Sequence, residues 1–267
     1  MQNTQKYVSS KLVKTRLLLH NRELAKHIPT TRPFSRNRLY AMLKRYGMVY
    51  VKPDRGSLGI GVMRVEKKED AFQYQSGRRA LIFKTFHDLF QSIQRRIGHK
   101  PYLIQKGIHV LRHEERPFDF RVMIQKNPKG KWECTGTAGR VAHPRKAVTN
   151  GSQGGTIFSA IDLIEPEAGK EKTDDLIRKM HHLARLTAAQ FSRTYPAMNE
   201  LGLDIAVDSS LTPWILEVNT CPDPCPFTKL EDKAIIKKIV TYAKSYGRRY
   251  CLTCSKAKKA PKREKRE

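Results

Sequence analysis

The sequence predicts a protein of the α+β class, in which β-hairpins and amphipathic helices share one chain. Residues 119–142 are typical of a hairpin, because DFRVMIQKN and KWECTGTAGRVA flank an Asn-Pro-Lys-Gly turn. Residues 201–219 predict a second hairpin, with LGLDIAVD and PWILEVN on either side of a polar turn. Other stretches carry apolar side chains at the 3.6-residue spacing of helices.

Four helices are predicted from that spacing and from their boundary residues. Ser35 is placed to cap a helix that ends at Gly47. Residues 86–97 carry apolar side chains at core spacing. Thr173 is expected to cap a third helix, and a last helix is predicted over residues 230–246.

The composition indicates a folded protein, because 39% of its 267 residues are apolar. That length suits one large domain or two small ones. No run of about 18 apolar residues occurs, so no membrane span is expected. The N-terminal stretch has only the short apolar patch Leu17–Leu19 and lacks the pattern of a secretory signal. These features predict a cytoplasmic protein.

The net charge of +27 is concentrated at the two ends of the chain. Residues 1–52 hold 12 Lys/Arg and one acid, and residues 244–267 hold 10 Lys/Arg and two acids. The ends thus carry +11 and +8, which leaves +8 for the 191 residues between them. We predict basic extensions at 1–30 and 246–267, the second disordered. Such ends bind polyanions, so nucleic acid, an anionic polymer or an acidic coat protein would serve as partners.

Five cysteines fit a reducing compartment better than a disulfide scaffold. The spacings Cys221-x₃-Cys225 and Cys251-x₂-Cys254 would offer four thiolates to zinc. However, prolines flank the first pair, and the second adjoins the basic tail. We therefore expect unpaired thiols rather than a zinc site.

The second hairpin concentrates oxygen ligands on one face. If Asp208 pairs with Pro213 across the turn, Asp204 lies opposite Glu217, and Asn219 shares the face of Glu217. Opposed carboxylates repel each other, which points to a hard cation such as Mg²⁺ between them. The alternatives are an amphipathic hairpin whose acids face water and a register shifted by one residue.

The stretch MVYVKPDRGSLGIGVMRV indicates a phosphate-binding hairpin. Lys52 ends its first strand, and the loop that follows contains Gly56, Gly59 and Gly61. Glycines allow close approach of backbone N–H groups to phosphate, and the ammonium group supplies charge. This is not a Walker A loop, which leads into a helix. The alternative is a hairpin whose glycines only relieve strain in the turn.

In chain order, this hairpin, the segment YLIQKGI, the triplet Asp-Phe-Arg and the final Asp…Glu-x-Asn resemble the ATP-grasp superfamily. Within it, VYVKPDRGSLGIGVMRV, PFDFRVMIQKN, VTNGSQGG and LGLDIAVD…PWILEVNT look like the YheC/YheD family of endospore coat-associated proteins. The resemblance covers about residues 30–245. It implies an ATP-grasp domain over 31–245, whose two α+β subdomains, about 31–108 and 109–245, grip ATP between them.

The resemblance also implies a role for each matching residue. Lys52 would touch the α/β-phosphates, and Arg121 would neutralise the transferring γ-phosphoryl group, which makes these two the catalytic residues. The backbone from Gln105 to Ile108 would read the adenine edge. The full set predicted to bind nucleotide is Lys52, Gly56, Ser57, Gly59, Gln105, Lys106, Ile108 and Arg121.

The metal ligands implied by the resemblance are Asp204, Glu217 and Asn219. They would hold two Mg²⁺ ions, with Glu217 as the bridge between them.

A short basic stretch of about thirty residues stands where many ATP-grasp ligases carry an extra N-terminal domain, and the sequence departs from the family pattern at three further points. Gln105 replaces the usual hinge glutamate. The acid that binds ribose has only Glu114 and Glu115 as candidates. The upstream second lysine of some members is missing or replaced, with Arg36 or Arg38 as the candidates.

Such enzymes join a carboxylate to an amine or a thiol through an acyl phosphate, without a protein nucleophile. The resemblance therefore implies an ATP- and Mg²⁺-dependent ligase whose acceptor carboxylate is held by Arg140, Arg145 and residues 150–156. The alternative is a nucleotide-binding structural or assembly protein of the spore coat, recruited by its basic ends. A nucleic-acid-binding function is disfavoured by the concentrated acidic site.

Overall fold

The computed structural model describes residues 4–143, 155–254 and 257–260. It has the predicted α+β class, with two β-sheets and helices packed on each. None of the helices in these three ranges is long and apolar enough to cross a membrane.

The N-terminal sheet has six strands: β1 (Thr31–Pro33), β2 (Met48–Pro53), β3 (Met63–Lys67), β4 (Phe72–Ser76), β5 (Arg79–Phe83) and β6 (Tyr102–Lys106). They run antiparallel in the order β1-β6-β2-β3-β4-β5. Helices α3 (Arg36–Tyr46) and α4 (Phe86–Ile97) share the sheet's hydrophobic core. Ser35 caps α3 and Gly47 ends it, as predicted.

The C-terminal sheet has seven strands: β7 (Arg112–His113), β8 (Arg116–Lys126), β9 (Trp132–Val141), β10 (Thr156–Ser159), β11 (Glu200–Val207), β12 (Pro213–Asn219) and β13 (Lys258–Lys259). Their order is β12-β11-β8-β9-β10-β13, with β7 paired to β8. Only the β10–β13 pair is parallel among these described strands.

Helices cover both faces of this second sheet: α5 (Ala160–Ala168) and α6 (Lys170–Thr194) on one, α7 (Cys225–Thr228) and α8 (Lys233–Ser245) on the other. Strand alternation separates the two cores, since Val122 packs with α6 and its neighbour Met123 packs with α8. Arg121 therefore points to the same side as Met123. This alternation places the charged residues of the site on the α8 side.

The boundary predicted for the third helix is wrong. Helix α6 begins at Lys170, so Thr173 lies inside it, buried, and donates its hydroxyl to the Gly169 carbonyl at 2.7 Å. Gly169, at φ 76°, separates α6 from α5, which the sequence did not predict. The last helix begins at Lys233, where Asp232 caps it.

Both predicted extensions contain folded structure. Helices α1 (Lys11–Leu19) and α2 (Arg22–Ala25) bury Leu18 and Leu24 in the core of the C-terminal sheet. At the other end, Tyr246, Arg248 and Tyr250 bind the buried carboxylate of Glu200. The predicted disorder is therefore wrong for residues 246–254 and 257–260, and the remaining residues of the tail lie outside the described ranges.

Candidate nucleotide and metal site

A cleft of about 470 Å³ lies between the two sheets. It brings together all the residues predicted to bind nucleotide or metal: Lys52, Gly56, Ser57, Gly59, Gln105, Lys106, Ile108, Arg121, Asp204, Glu217 and Asn219. Residues separated by more than 160 positions in sequence thus share one cavity.

The predicted carboxylate pair is confirmed, although by a different register. Val207, not Asp208, pairs with Pro213, and Ile205 pairs with Ile215. A β-bulge then shifts the register by one residue, so that Asp204 lies opposite Glu217. The inserted residue is Leu216, which lines the cleft next to Glu217.

Two arginines surround Asp204. The register places Arg121 of β8 beside Asp204 of β11, and Arg121 Nε donates to Asp204 Oδ1 at 2.7 Å. Arg140 of β9 binds Asp119 through two hydrogen bonds of 2.7 and 2.8 Å and approaches Asp204 Oδ1 at 3.2 Å. Nε and Nη2 of Arg140 are thus already engaged with carboxylates of the protein.

Electrostatics hold these groups in their ionised forms. Burial works against the charge of Asp204, but Arg121 and Arg140 outweigh it and lower the pKa of Asp204 to about 2. Burial also opposes the charge of Arg140, yet Asp119 and Asp204 raise its pKa above the ordinary value. This group of charges is therefore set before any ligand arrives.

Gly202 allows the close packing around Arg121. A Cβ atom at this position would lie 2.7 Å from Pro222 Cβ and 3.3 Å from Arg121 Cδ. A larger residue would displace the backbone beside the predicted metal ligands.

Two lysines from α1 reach Glu217, and the sequence analysis missed them. Lys11 Nζ lies 3.4 Å and Lys14 Nζ 3.7 Å from Glu217 Oε1. The helix is held there by Asp54, which accepts a hydrogen bond from Leu12 N at 2.8 Å. The usable signal was two lysines one helical turn apart after the capping residue Ser10.

Lys11 also lines the cleft, whereas Arg36 and Arg38, the candidates for a second lysine, do not. Lys14 is deeply buried, and burial lowers its pKa although Glu217 opposes the shift.

Lys52 is positioned by Gln105 rather than by a carboxylate. Its ammonium donates to Gln105 Oε1 at 2.6 Å, and Gln105 Nε2 donates to the Leu216 carbonyl at 3.2 Å. Burial lowers the pKa of Lys52 to about 8, against the attraction of Glu217. The chain Lys52–Gln105–Leu216 links the two sheets.

The segment predicted to read adenine starts inside the N-terminal sheet. Gln105 pairs with Thr31 on one side and Tyr50 on the other, so its backbone lies inside the N-terminal sheet. Strand β6 ends at Lys106, whose ammonium lies 5.1 Å from the centre of the Trp214 ring. Ile108 follows and lines the cleft.

The glycine-rich loop has the backbone geometry that glycine permits. Gly56, Gly59 and Gly61 have φ values of 118°, 69° and 77°. Lys11 Nζ donates to the Gly56 carbonyl at 2.7 Å, which ties the loop to α1. Ile60 at the tip is 68% exposed, so its side chain is not held by a core.

The cleft also has apolar lining residues, namely Ile108, Val110, Phe118, Ala206 and Leu216. The predicted ribose acids do not join them, since Glu114 and Glu115 pair with Arg116 and Arg112 in an exposed turn and do not line the cleft. Arg145 and residues 150–154 lie outside the described ranges.

The prediction of unpaired thiols is wrong for two cysteines. Cys225 and Cys254 form a disulfide, whereas Cys134, Cys221 and Cys251 are free. Within the described part of the chain, no group of three or more His, Cys, Asp or Glu side chains could hold a metal. Two of the four cysteines considered as zinc ligands are joined to each other.

The donor set of the hairpin fits a magnesium ion bound together with phosphate. Two facing carboxylates and the amide of Asn219 offer the oxygen ligands that Mg²⁺ prefers, and its remaining positions are commonly filled by phosphate and water. Asn219 Nδ2 donates to the Gly202 carbonyl at 3.3 Å, so its oxygen is the atom left to coordinate.

The fold is found in solved structures. The crystal structure of N5-carboxyaminoimidazole synthase from Aspergillus clavatus, in complex with ADP and 5-aminoimidazole ribonucleotide, aligns with a TM-score of 0.51. The alignment covers 80% of this chain and 45% of the other at 11% identity. Together with the two sheets around the cleft, it identifies an ATP-grasp fold.

A family model described as YheC/D like ATP-grasp matches residues 2–249. The chain therefore belongs to the YheC/D-like ATP-grasp family. Endospore coat-associated protein YheD of Bacillus subtilis is 27% identical over 66% of this chain, and YheC of the same organism is 26% identical over 73%. The matches span 40% of YheD and 55% of YheC, so the chain covers about half the length of these relatives.

Proposed function

We propose that this chain is an ATP- and Mg²⁺-dependent ligase that joins a carboxylate to an amine or a thiol through an acyl phosphate. The observation that carries the proposal is the charge arrangement at one end of the cleft. Four cations that line the cleft, Lys11, Lys52, Arg121 and Arg140, and the buried Lys14 beside it surround three carboxylates, Asp119, Asp204 and Glu217. The surplus of positive charge suits a triphosphate and its metal.

The metal would be held by Asp204, Glu217 and Asn219, with Glu217 bridging two ions. Bound Mg²⁺ would neutralise charge on the phosphates. Lys11 and Arg121, which pair with Glu217 and Asp204, would donate their remaining N–H groups to phosphate oxygens.

Nucleotide binding would use both sheets. Lys52 would donate to the α/β-phosphates, and the loop containing Gly56, Ser57 and Gly59 would close over them. The residues after Gln105, namely Lys106 to Ile108, would border the adenine.

Catalysis would then depend on position and charge. A substrate carboxylate oxygen attacks the γ-phosphorus and ADP leaves; the amine or thiol next attacks the acyl carbon and phosphate leaves. Arg121 would stabilise the charge of the transferring group.

The proposal predicts Mg²⁺-dependent ATP binding that Lys52→Ala or Glu217→Gln weakens strongly. Loss of one hydrogen bond to a charged group costs about 1.5–3 kcal/mol, or roughly 10- to 150-fold in affinity. Calorimetric titration with and without EDTA measures the ATP affinity of each variant. Arg178→Ala, on the exposed face of α6, is the control. Unchanged affinity in both cleft variants would overturn the proposal.

A second candidate function is supported by the relatives, which are named for their association with the endospore coat. A nucleotide-binding assembly protein of the coat would bind ATP, yet release no ADP with any carboxylate and amine pool. Removal of residues 255–267 would abolish its coat localisation. ADP release measured against such pools separates the two functions.

A further inference from the structure

Four cysteines lie near one wall of the cleft, outside the residues assigned to nucleotide and metal. Cys225, on α7, and Cys254, after α8, form a disulfide with Cα atoms 5.7 Å apart. Both line the cleft, as does Cys221. Cys221 and Cys251 are exposed free thiols.

The disulfide fastens the C-terminal segment, residues 246–254, at its far end. The near end is held by Glu200, which Tyr246 and Arg248 bind. Between these two points the segment is largely exposed, yet Thr253 and Cys254 line the cleft. Tyr250 also binds Glu200, and β13 pairs with β10 beyond Cys254, so the disulfide is the covalent one among several contacts that hold this wall.

The same wall adjoins the predicted metal ligands. Cys221 follows Asn219 by two residues, and Arg248 Nη2 donates to the Pro222 carbonyl at 3.2 Å. Cys225 N donates to Asp223 Oδ1 at 3.0 Å. A displacement of the C-terminal segment would thus change the cleft at its phosphate end.

We propose that Cys225 and Cys254 form a reversible thiol–disulfide site that sets the position of this wall. Oxidation by a low-molecular-weight disulfide fastens the C-terminal segment, and reduction by a low-molecular-weight thiol releases it. The consequence for nucleotide binding rests on the proposed function, whereas the redox site itself does not.

The chemistry is a two-step exchange. One cysteine thiolate attacks a sulfur of the small disulfide, which forms a mixed disulfide and releases one small thiolate. The second cysteine thiolate attacks the protein sulfur of the mixed disulfide, which forms the Cys225–Cys254 bond and releases the other small thiolate. The two protein thiols are oxidised and the small disulfide is reduced to two thiols. Both cysteines are half-buried, so a small reagent can reach them, and the bond closes a loop spanning 29 positions.

The redox state is tested by alkylation of the intact protein and peptide mass spectrometry. Before reduction, we expect label on Cys221 and Cys251 and none on Cys225 or Cys254. Treatment with glutathione should expose both of the latter, and glutathione disulfide should protect them again. Label on both before reduction, or one zinc ion retained per chain, would overturn the proposal.

The tether is tested by hydrogen exchange of residues 246–254 in the oxidised and reduced wild-type protein. We expect exchange roughly 10-fold faster after reduction. Cys254→Ser should match the reduced protein under both conditions, and the control Cys251→Ser should respond as wild type does. Equal exchange in the two wild-type forms would overturn the tether even if the serine variant fails to fold. If neither the oxidised nor the reduced wild-type protein binds Mg²⁺–ATP, the proposed function is contradicted and the redox site is not.

Discussion

The two walls of the cleft are built in opposite ways. On the C-terminal sheet, Asp119, Arg140, Asp204 and Arg121 form one network across three neighbouring strands, with bonds of 2.7 to 3.2 Å. On the N-terminal sheet, the corresponding wall is a glycine-rich loop with an exposed tip. One wall has buried, mutually paired charges, and the other has an exposed loop of glycine-rich backbone.

This difference separates two requirements of phosphate binding. Fixed charges act on a transferring group without reorganisation at the moment of reaction. A closing loop excludes water and must open again for product release. We therefore expect substitutions in the network to affect stability first and those in the loop to affect binding first.

The largest effect is expected for Arg140→Leu. Removal of one partner from a buried ion pair costs about 3–5 kcal/mol, since it leaves Asp119 buried without its guanidinium. Urea unfolding measures the loss, with Arg178→Leu as a control that should cost less than about 1 kcal/mol because its ion pair is exposed. Equal losses of unfolding free energy in the two variants would show that the charge network of this wall does not stabilise the fold more than an exposed ion pair does.

An intermediate effect is expected from pH, because burial lowers the pKa of Lys52 to about 8. Above that pH the free protein loses the charge that phosphate requires, so nucleotide affinity should fall by up to about tenfold per pH unit. Below it the affinity should be flat. Lys52→Arg, which stays charged, should remove the dependence in titrations from pH 7 to about 9.5.

Stability should move in the opposite direction over the same range. The unfolded chain keeps its proton on Lys52 up to a pKa of about 10.4, so it binds more protons than the folded chain above pH 8. The contribution of Lys52 to the free energy of unfolding should therefore increase as pH rises above 8. A nucleotide affinity that does not change with pH would show that Lys52 does not carry the charge that binds phosphate.

The smallest effect is expected for Ile60→Ser at the tip of the loop. The side chain is 68% exposed, so stability should change by less than about 0.5 kcal/mol. A change in ATP affinity at constant unfolding midpoint would show that the tip contacts the nucleotide. A large loss of stability would show that the Ile60 side chain packs against the rest of the protein.

Local signals in the sequence predicted the parts of the fold that local interactions determine. Ser35 and Gly47 mark the ends of α3 because capping involves only nearby residues. The hairpin of β11 and β12 followed from strand alternation, and the facing carboxylates from its approximate register. The location of the candidate site followed from the same patterns together with the family resemblance.

The missed features depend on contacts between distant residues. Lys11 and Glu217 are separated by 206 positions, and only the packing of α1 brings them together. The Cys225–Cys254 disulfide depends on the return of the C-terminal segment to the cleft. Thr173 satisfied a capping pattern, but Gly169 offered an earlier start for the helix.

The bulge in the second hairpin has a mechanical consequence. Leu216 is inserted between Ile215 and Glu217, and its carbonyl accepts the hydrogen bond from Gln105 that also orients Lys52. An extra residue in a bulge stands outside the regular ladder, so its backbone is free to bind elsewhere. The inserted peptide group of Leu216 thus forms a hydrogen bond between the two sheets that border the cleft. A spectroscopic probe at Leu216 would therefore report on opening of the cleft.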